Sequence, residues 1–273
     1  MDSKIIHISS SESLFNNNSS DFSYSLVNEI KDVTHLTLKS IEIPSNPYVF
    51  DKRLYSNTNF IIIDNTNIEY EITIEDGNYK PEELSTHIND LIKSKNISYK
   101  IEFNYNKNNG LTTFNSVNKF KLKFPKNMKT SLGLSLGFKK TEYSNNKSYT
   151  SEMALDINPI QVYFVKINDL GKIVTSFDDK IFAKLVLYRD SDICHPYTGK
   201  VKILSENVLY EEHPVNINRF NIRILDEYGN LVDFKGLNIT MSLDIKHIRT
   251  SEKKKEVYEK LLKTYSNNHY FNY

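Results

Sequence analysis

Apolar and polar residues alternate at period two along most of this chain, in short runs of β-branched and aromatic residues separated by clusters of Asn, Asp, Ser and Gly. Successive side chains of a strand point to opposite faces, so this is the pattern of half-buried antiparallel strands. It predicts strands over residues 4–8, 22–27 and 34–43, the last stopped by Pro44 and Pro47, which cannot donate to a ladder. A hairpin over 60–63 and 69–74 turns through the polar stretch 64–67. At Gly77 and Asn78 the chain turns, and Pro81 suits the first position of a helix running to about Ser94. Leu84, Ile88, Leu91 and Ile92 line one stripe of that helix. Strands over 99–105 and 111–115 flank Asn108-Asn109-Gly110, a strong hairpin signal, and another strand covers 119–124. The segment Leu132-Gly133-Leu134-Ser135-Leu136-Gly137-Phe138 reads as an apolar lid whose glycines permit tight turns.

Residues 143–150 are polar and read as a connection. Beyond them strands are predicted over 160–167, 181–188, 201–204, 208–210, 220–225, 231–234 and 237–248, with a hairpin turn at 226–230. The run 181–188 is largely apolar on both faces and is expected in the middle of a sandwich. Ser251 suits the cap of a final helix, with Val257, Leu261, Leu262 and Tyr265 on one face and a polar, aromatic tail to Tyr273.

Composition sharpens this picture in a few places. The hydrophobic fraction is only 39%, but 18 Tyr and 15 Phe supply rings large enough to close a core. Thirty-five basic against thirty-four acidic residues leave a net charge of +1, so no overall field draws in nucleic acid, and no specific nucleic-acid partner is expected. The single cysteine, Cys194, cannot close an internal disulfide, which fits a reducing compartment. The N-terminal residues lack a basic start followed by an apolar stretch, and no run approaches 18 apolar residues; neither export nor membrane spanning is expected.

Candidate chemistry is sparse. Asp190, Ser191, Asp192, Cys194 and His195 gather carboxylates, a thiol and an imidazole in one predicted loop. Adjacent Cys and His side chains rarely converge on one ion, and no second Cys/His pair completes a metal set, so we read an exposed polar loop. A Cys194 nucleophile served by a distant His is the enzymatic rival, but nothing local marks an oxyanion hole. Asp226, Asn230 and Asp233 have the oxygen chemistry of a calcium loop and also that of a plain turn, which we favour. The glycines at 133 and 137 lack the Lys-Ser/Thr ending of a phosphate loop. Lys253, Lys254 and Lys255 sit among Glu252, Glu256 and Glu259, as on a solvated helix face. Lys119-Phe120-Lys121-Leu122-Lys123-Phe124 reads either as an ordinary alternating strand, which we favour, or as a basic stacking platform for bases. No catalytic, metal or cofactor residues are nominated, and no cofactor is expected.

Three segments taken in order carry a resemblance: Ile41-Glu42-Ile43-Pro44-Ser45-Asn46-Pro47-Tyr48; Ile72-Thr73-Ile74-Glu75-Asp76-Gly77-Asn78-Tyr79 with the helix through Leu84; and Leu134-Ser135-Leu136-Gly137-Phe138. Together they resemble the minor capsid and penton-type jelly-roll proteins of large DNA viruses and virophages. The resemblance implies an antiparallel jelly-roll β-sandwich with a small α+β insertion and a C-terminal helix. It places the sandwich at 1–57 and 141–250, the insertion at 58–140 and the helix and tail at 251–273; two successive domains divided near Tyr149 are the alternative. The implied function is that of a non-enzymatic virion protein, made in the host cytoplasm, that self-associates (a pentamer is favoured) and contacts a major capsid protein. The rival reading is a non-catalytic β-sandwich module that binds a ligand such as a carbohydrate on exposed tyrosines.

Overall fold

Strands make up most of the secondary structure, as the period-two pattern requires, and every ladder is antiparallel. The computed structural model describes residues 2–13, 18–44, 47–125, 130–158, 162–189, 199–203 and 214–248, with 255, 259 and 260. Its strands are β1 (Asp2–Ser9), β2 (Asp21–Glu42), β3 (Asn59–Ile63), β4 (Glu69–Thr73), β5 (Ile101–Tyr105), β6 (Thr112–Lys123), β7 (Glu142–Thr150), β8 (Val162–Ile167), β9 (Ala183–Arg189), β10 (Gly199–Ile203), β11 (Val215–Leu225) and β12 (Thr240–His247). Two α-helices are described from end to end, α1 (Pro81–Ser94) and α2 (Leu132–Ser135), and no described helix is long and apolar enough to cross a membrane. The chain divides into two compact units, Met1–Pro47 with Gln161–Tyr273, and Tyr48–Ile160.

The first unit is a seven-stranded sheet in the order β1-β12-β2-β11-β8-β9-β10, so the earliest strands pair with the latest. Strand β2 has two partners in succession, β11 along its first half and β12 along its second. Between the halves Asp32 takes a φ of 56°, a left-handed turn of the backbone that Asp tolerates better than most residues. Its N–H leaves the ladder and donates to the Asn216 amide oxygen at 3.1 Å. The far strand β10 returns to within 8 Å of β2 between Cα atoms, so the sheet curls into a half-barrel. Phe22, Leu36, Tyr163, Val165, Leu185, Phe220, Ile222 and Leu243 fill its interior and are all essentially inaccessible to water.

The second unit is a five-stranded sheet closed by the two helices. Strand β6 holds it together: β5 pairs with residues 112–116, β3 with 121–123, and β7 runs along its length on another ladder. Helix α1 starts at Pro81, where the absent N–H costs nothing, and the Glu83 carboxylate accepts from the Lys80 N–H at 3.1 Å. Its Leu84, Ile88 and Ile92 pack on Phe60, Ile72, Phe103 and Phe114. Asn89, one turn along, ties the helix to strand β5. Its Oδ1 accepts from the Phe103 N–H and its Nδ2 donates to the Phe103 carbonyl, both at 2.8 Å. The apolar lid is α2, capped by Ser131 and ended by Gly137 at φ +90°. The Gly137 N–H reaches the Leu134 carbonyl and the Phe138 N–H reaches that of Gly133, the paired bonds that satisfy the last carbonyls of a helix.

Three expectations are corrected. Strands 22–27 and 34–43 are one strand, and so are 111–115 and 119–124, because the polar residues between them bulge out of a continuous ladder instead of turning. Residues 143–150 are an edge strand of the five-stranded sheet, whose exposed, polar position hides its period. Residues 231–234 form only a single bridge, Leu225 to Leu231, with Val232 and Phe234 buried by packing. The run 181–188 forms β9, which is paired with β8 on one side and β10 on the other, and Ile181, Phe182, Ala183, Leu185 and Leu187 are buried. The predicted strand 208–210 lies outside the described residues, as does most of the C-terminal helix, of which Lys255, Glu259 and Lys260 are helical.

Candidate functional site

The polar residues that attract attention in the sequence are engaged in holding turns. Asp226, fully buried, accepts on Oδ1 from the N–H groups of Tyr228 and Asn230 at 2.8 Å and on Oδ2 from the Asn230 amide at 3.2 Å. Asp233 accepts from the Lys235 N–H at 2.8 Å and from its ammonium at 3.3 Å. These oxygens are spent on donors of the chain itself, as in a turn. In β6, Phe120, Leu122 and Phe124 are buried while Lys119, Lys121 and Lys123 face outward, so the aromatic rings build core and present no stacking platform. Gly133 lets α2 lie against the Phe124 ring, which a Cβ would approach to 2.5 Å, so its role is close packing. The cluster from Asp190 to His195 lies outside the described residues, and so do Lys253 and Lys254; Lys255 is exposed.

The histidines are dispersed. His7 meets the Ser242 hydroxyl at 3.5 Å on the outer face of β1 and β12, and His87 stacks on Tyr79 at 5.6 Å. His35 lies beside the Thr34 hydroxyl at 3.0 Å; burial, and then the Lys246 charge, lower its pKa. No group of three or more His, Cys, Asp or Glu side chains placed to hold a metal occurs among the described residues.

Two carboxylates are electrostatically distinct, the buried Asp64 and the half-buried Asp178. Burial pushes Asp64 up, but the Thr66 hydroxyl, the N–H groups of Ile68 and Thr66 and the Tyr70 hydroxyl together outweigh it and hold the group below the ordinary carboxyl range. Asp178 is lowered first by its bond from the Lys166 ammonium, 2.6 Å away, and then by the Lys180 N–H. A carboxyl whose folded pKa is depressed adds stability that is complete above its unfolded value of about 3.9 and is lost as pH falls through the folded value. Thermal unfolding followed from pH 7 down to pH 2 is therefore expected to show a shallow loss of stability as pH falls below about 6.5, where His35 with its lowered pKa resists protonation in the fold, and a steeper carboxyl limb beginning below about pH 4. Asp64→Ala, which strips four donors of their acceptor, is expected to cost about 1–3 kcal/mol at neutral pH and to flatten the acid limb; an unchanged limb would refute the assignment.

What remains for function is surface. Six large apolar side chains are exposed among the described residues: Ile5, Val27, Ile68, Val117, Val174 and Tyr228. Ile5 stands 71% exposed on β1, the edge strand of the seven-stranded sheet, opposite Asp244 and among Ser3, His7 and Ser242. Val174 lies on the loop that brings Phe177 over β8, and Tyr228 adjoins Gly229, whose hydrogen faces the Phe177 ring. Val27 and Val117 occupy the two widest bulges of the described ladders. Sequence reasoning nominated none of these, since an outward valine in an alternating strand has the same signature as an inward one.

No protein-family model matches the chain, and no curated protein matches it. Among solved structures it is similar to a chain of the Sputnik virophage, determined by cryo-electron microscopy at 3.5 Å. The two are 13% identical, the similarity covers 90% of this chain and 98% of that one, and the TM-score is 0.46. A likeness of that depth assigns no role to this chain.

Proposed function

We propose that this chain is a structural protein of a virus capsid, a penton or other minor capsid protein that associates with copies of itself, a pentamer being favoured, and with a major capsid protein. The observation that carries the reading is the set of aliphatic side chains left in water at strand positions, Val27 at 99%, Ile5 at 71% and Val117 at 64% exposure. Each forfeits the roughly 1.5–3 kcal/mol that burial of such a side chain supplies, and a second protein surface recovers it. The order of segments that resembles penton-type proteins and the curled antiparallel sheet support the same reading. Its action is geometric: lateral faces bury apolar surface between subunits, and the shape of the sheet sets the angle between neighbours.

The carbohydrate-binding alternative needs a platform of exposed tyrosines. Tyr228 is 37% exposed, and every other tyrosine whose side chain is described is half-buried or buried. The structural reading is tested by the mass of the purified chain in solution, measured by light scattering across a concentration series with electron-microscope class averages of the dominant species. A ring of five is the expected result. A trimer would keep the capsid role and reject the penton, whereas a monomer at every concentration would overturn self-association.

A further inference from the structure

Strands β2 and β6 belong to different units, yet they bulge in the same way. Between the pairs Ser25 with Arg219 and Ile30 with Ile217, four residues of β2 (Leu26, Val27, Asn28, Glu29) face one residue of β11, Asn218. Between the pairs Asn115 with Ser148 and Phe120 with Asn146, four residues of β6 (Ser116, Val117, Asn118, Lys119) face one residue of β7, Lys147. A bulge of this size throws its apex out of the ladder and re-aims the side chains it carries. The sequences match in kind: Val27-Asn28-Glu29-Ile30 and Val117-Asn118-Lys119-Phe120. In both, the valine is exposed and the closing apolar residue is buried, Ile30 at 7% and Phe120 at 2%. One solitary exposed valine needs no explanation, but two at equivalent places on equivalent bulges do.

The charges that accompany them differ in sign. The β2 bulge carries Glu29, with Lys31 and Asp32 following. The β6 bulge carries Lys119, with the exposed Lys147 opposite and Lys121 following; the Lys119 ammonium rests 3.2 Å from the Asn145 amide oxygen and keeps its charge available.

We propose that the β2 bulge of one copy seats on the β6 bulge of a second copy, Val27 against Val117 and Glu29 facing Lys119. The proposal rests on the self-association reading above and names the surface through which it works. Because the two bulges differ, the contact is heterologous: each copy offers one patch to one neighbour and the other patch to another. Such contacts close into a ring when the rotation allows. Two valines and one ion pair are too small an area to hold a complex alone, so the bulges set register and orientation within a larger interface, the role to which charge complementarity is best suited.

The test is sedimentation velocity of the full chain over a concentration series. Glu29→Lys and Lys119→Glu each set like charges against one another and are expected to move the association midpoint at least about tenfold higher, while the double substitution restores it to within about threefold. Val27→Ser and Val117→Ser are expected to weaken association in the same direction. All four positions face solvent, so circular dichroism melts of every variant should match the parent. If the parent assembles and neither single charge reversal moves the midpoint, or the double reversal is no better than the singles, the bulge contact is wrong and self-association survives. A parent that never assembles removes both.

Discussion

Replacing Phe114 with alanine is expected to destabilise the unit spanning Tyr48–Ile160 by about 3–5 kcal/mol, among the largest effects of any single substitution in the chain. Phe114 is wholly buried at the centre of β6, and its ring centroid lies 4.8 Å from that of Phe103, 5.4 Å from Phe60 and 5.8 Å from Phe138. Those partners come from β5, β3 and the end of the α2 turn, so one truncation opens a cavity against three separate elements, none of which can collapse into it without dragging its own ladder. Phe114→Leu keeps most of the volume and is expected to cost about 1–2 kcal/mol. We propose that the two units melt in separate transitions, and calorimetry then shows Phe114→Ala lowering one of them by about 10–20 °C while the other stays in place. A single transition shifted as a whole would reject the independence of the units; no shift at all would reject the core assignment.

Gly137→Ala is expected to be nearly as damaging, at about 2–5 kcal/mol, by a different route. At φ +90° an L-residue is strained, and a Cβ at this position would stand 2.1 Å from the Met153 carbonyl oxygen. Neither atom can yield, because the Met153 N–H is itself bonded to the Gly137 carbonyl at 2.9 Å and the Gly137 N–H ends helix α2. Relief requires the chain around residue 153 to move off, which breaks the Met153–Gly137 bond. Chemical denaturation should show the loss, and a variant as stable as the parent would mean that the turn does not take this shape.

These two residues also mark where the sequence could be read and where it could not. Period two located most strands, and the stripe Leu84, Ile88, Leu91 and Ile92 located α1, because burial on one face leaves a direct imprint on residue order. The compact segment around Gly137 was recognisable for the same reason: glycine there answers a need of the backbone. The strands divided wrongly in the sequence reading, at 27–34 and 115–119, are the two that bulge. Three extra residues break the alternation, and Asn28 or Asn118 beside a charged residue has the signature of a turn. The surface was illegible for a further reason. Exposure of Ile5 or Val27 depends on which face of a strand the ladder turns outward, and a one-residue change of register would invert it. No short-range pattern records that choice, whereas the Val-Asn-charged-apolar string occurs twice and takes a common shape only in the bulges.

The bond between Asn89 and strand β5 has a consequence for how this chain behaves at high concentration. A strand at the margin of a sheet, with its donors and acceptors turned outward, is a template onto which any extended chain can add, and at high local concentration that is how ordered assembly gives way to amyloid-like growth. At Phe103 both outward groups are already taken, by the oxygen and the nitrogen of one side-chain amide carried on α1. The helix thus acts as a false final strand at that point, withdrawing the template from incoming chains and leaving contact between copies to be decided by side chains.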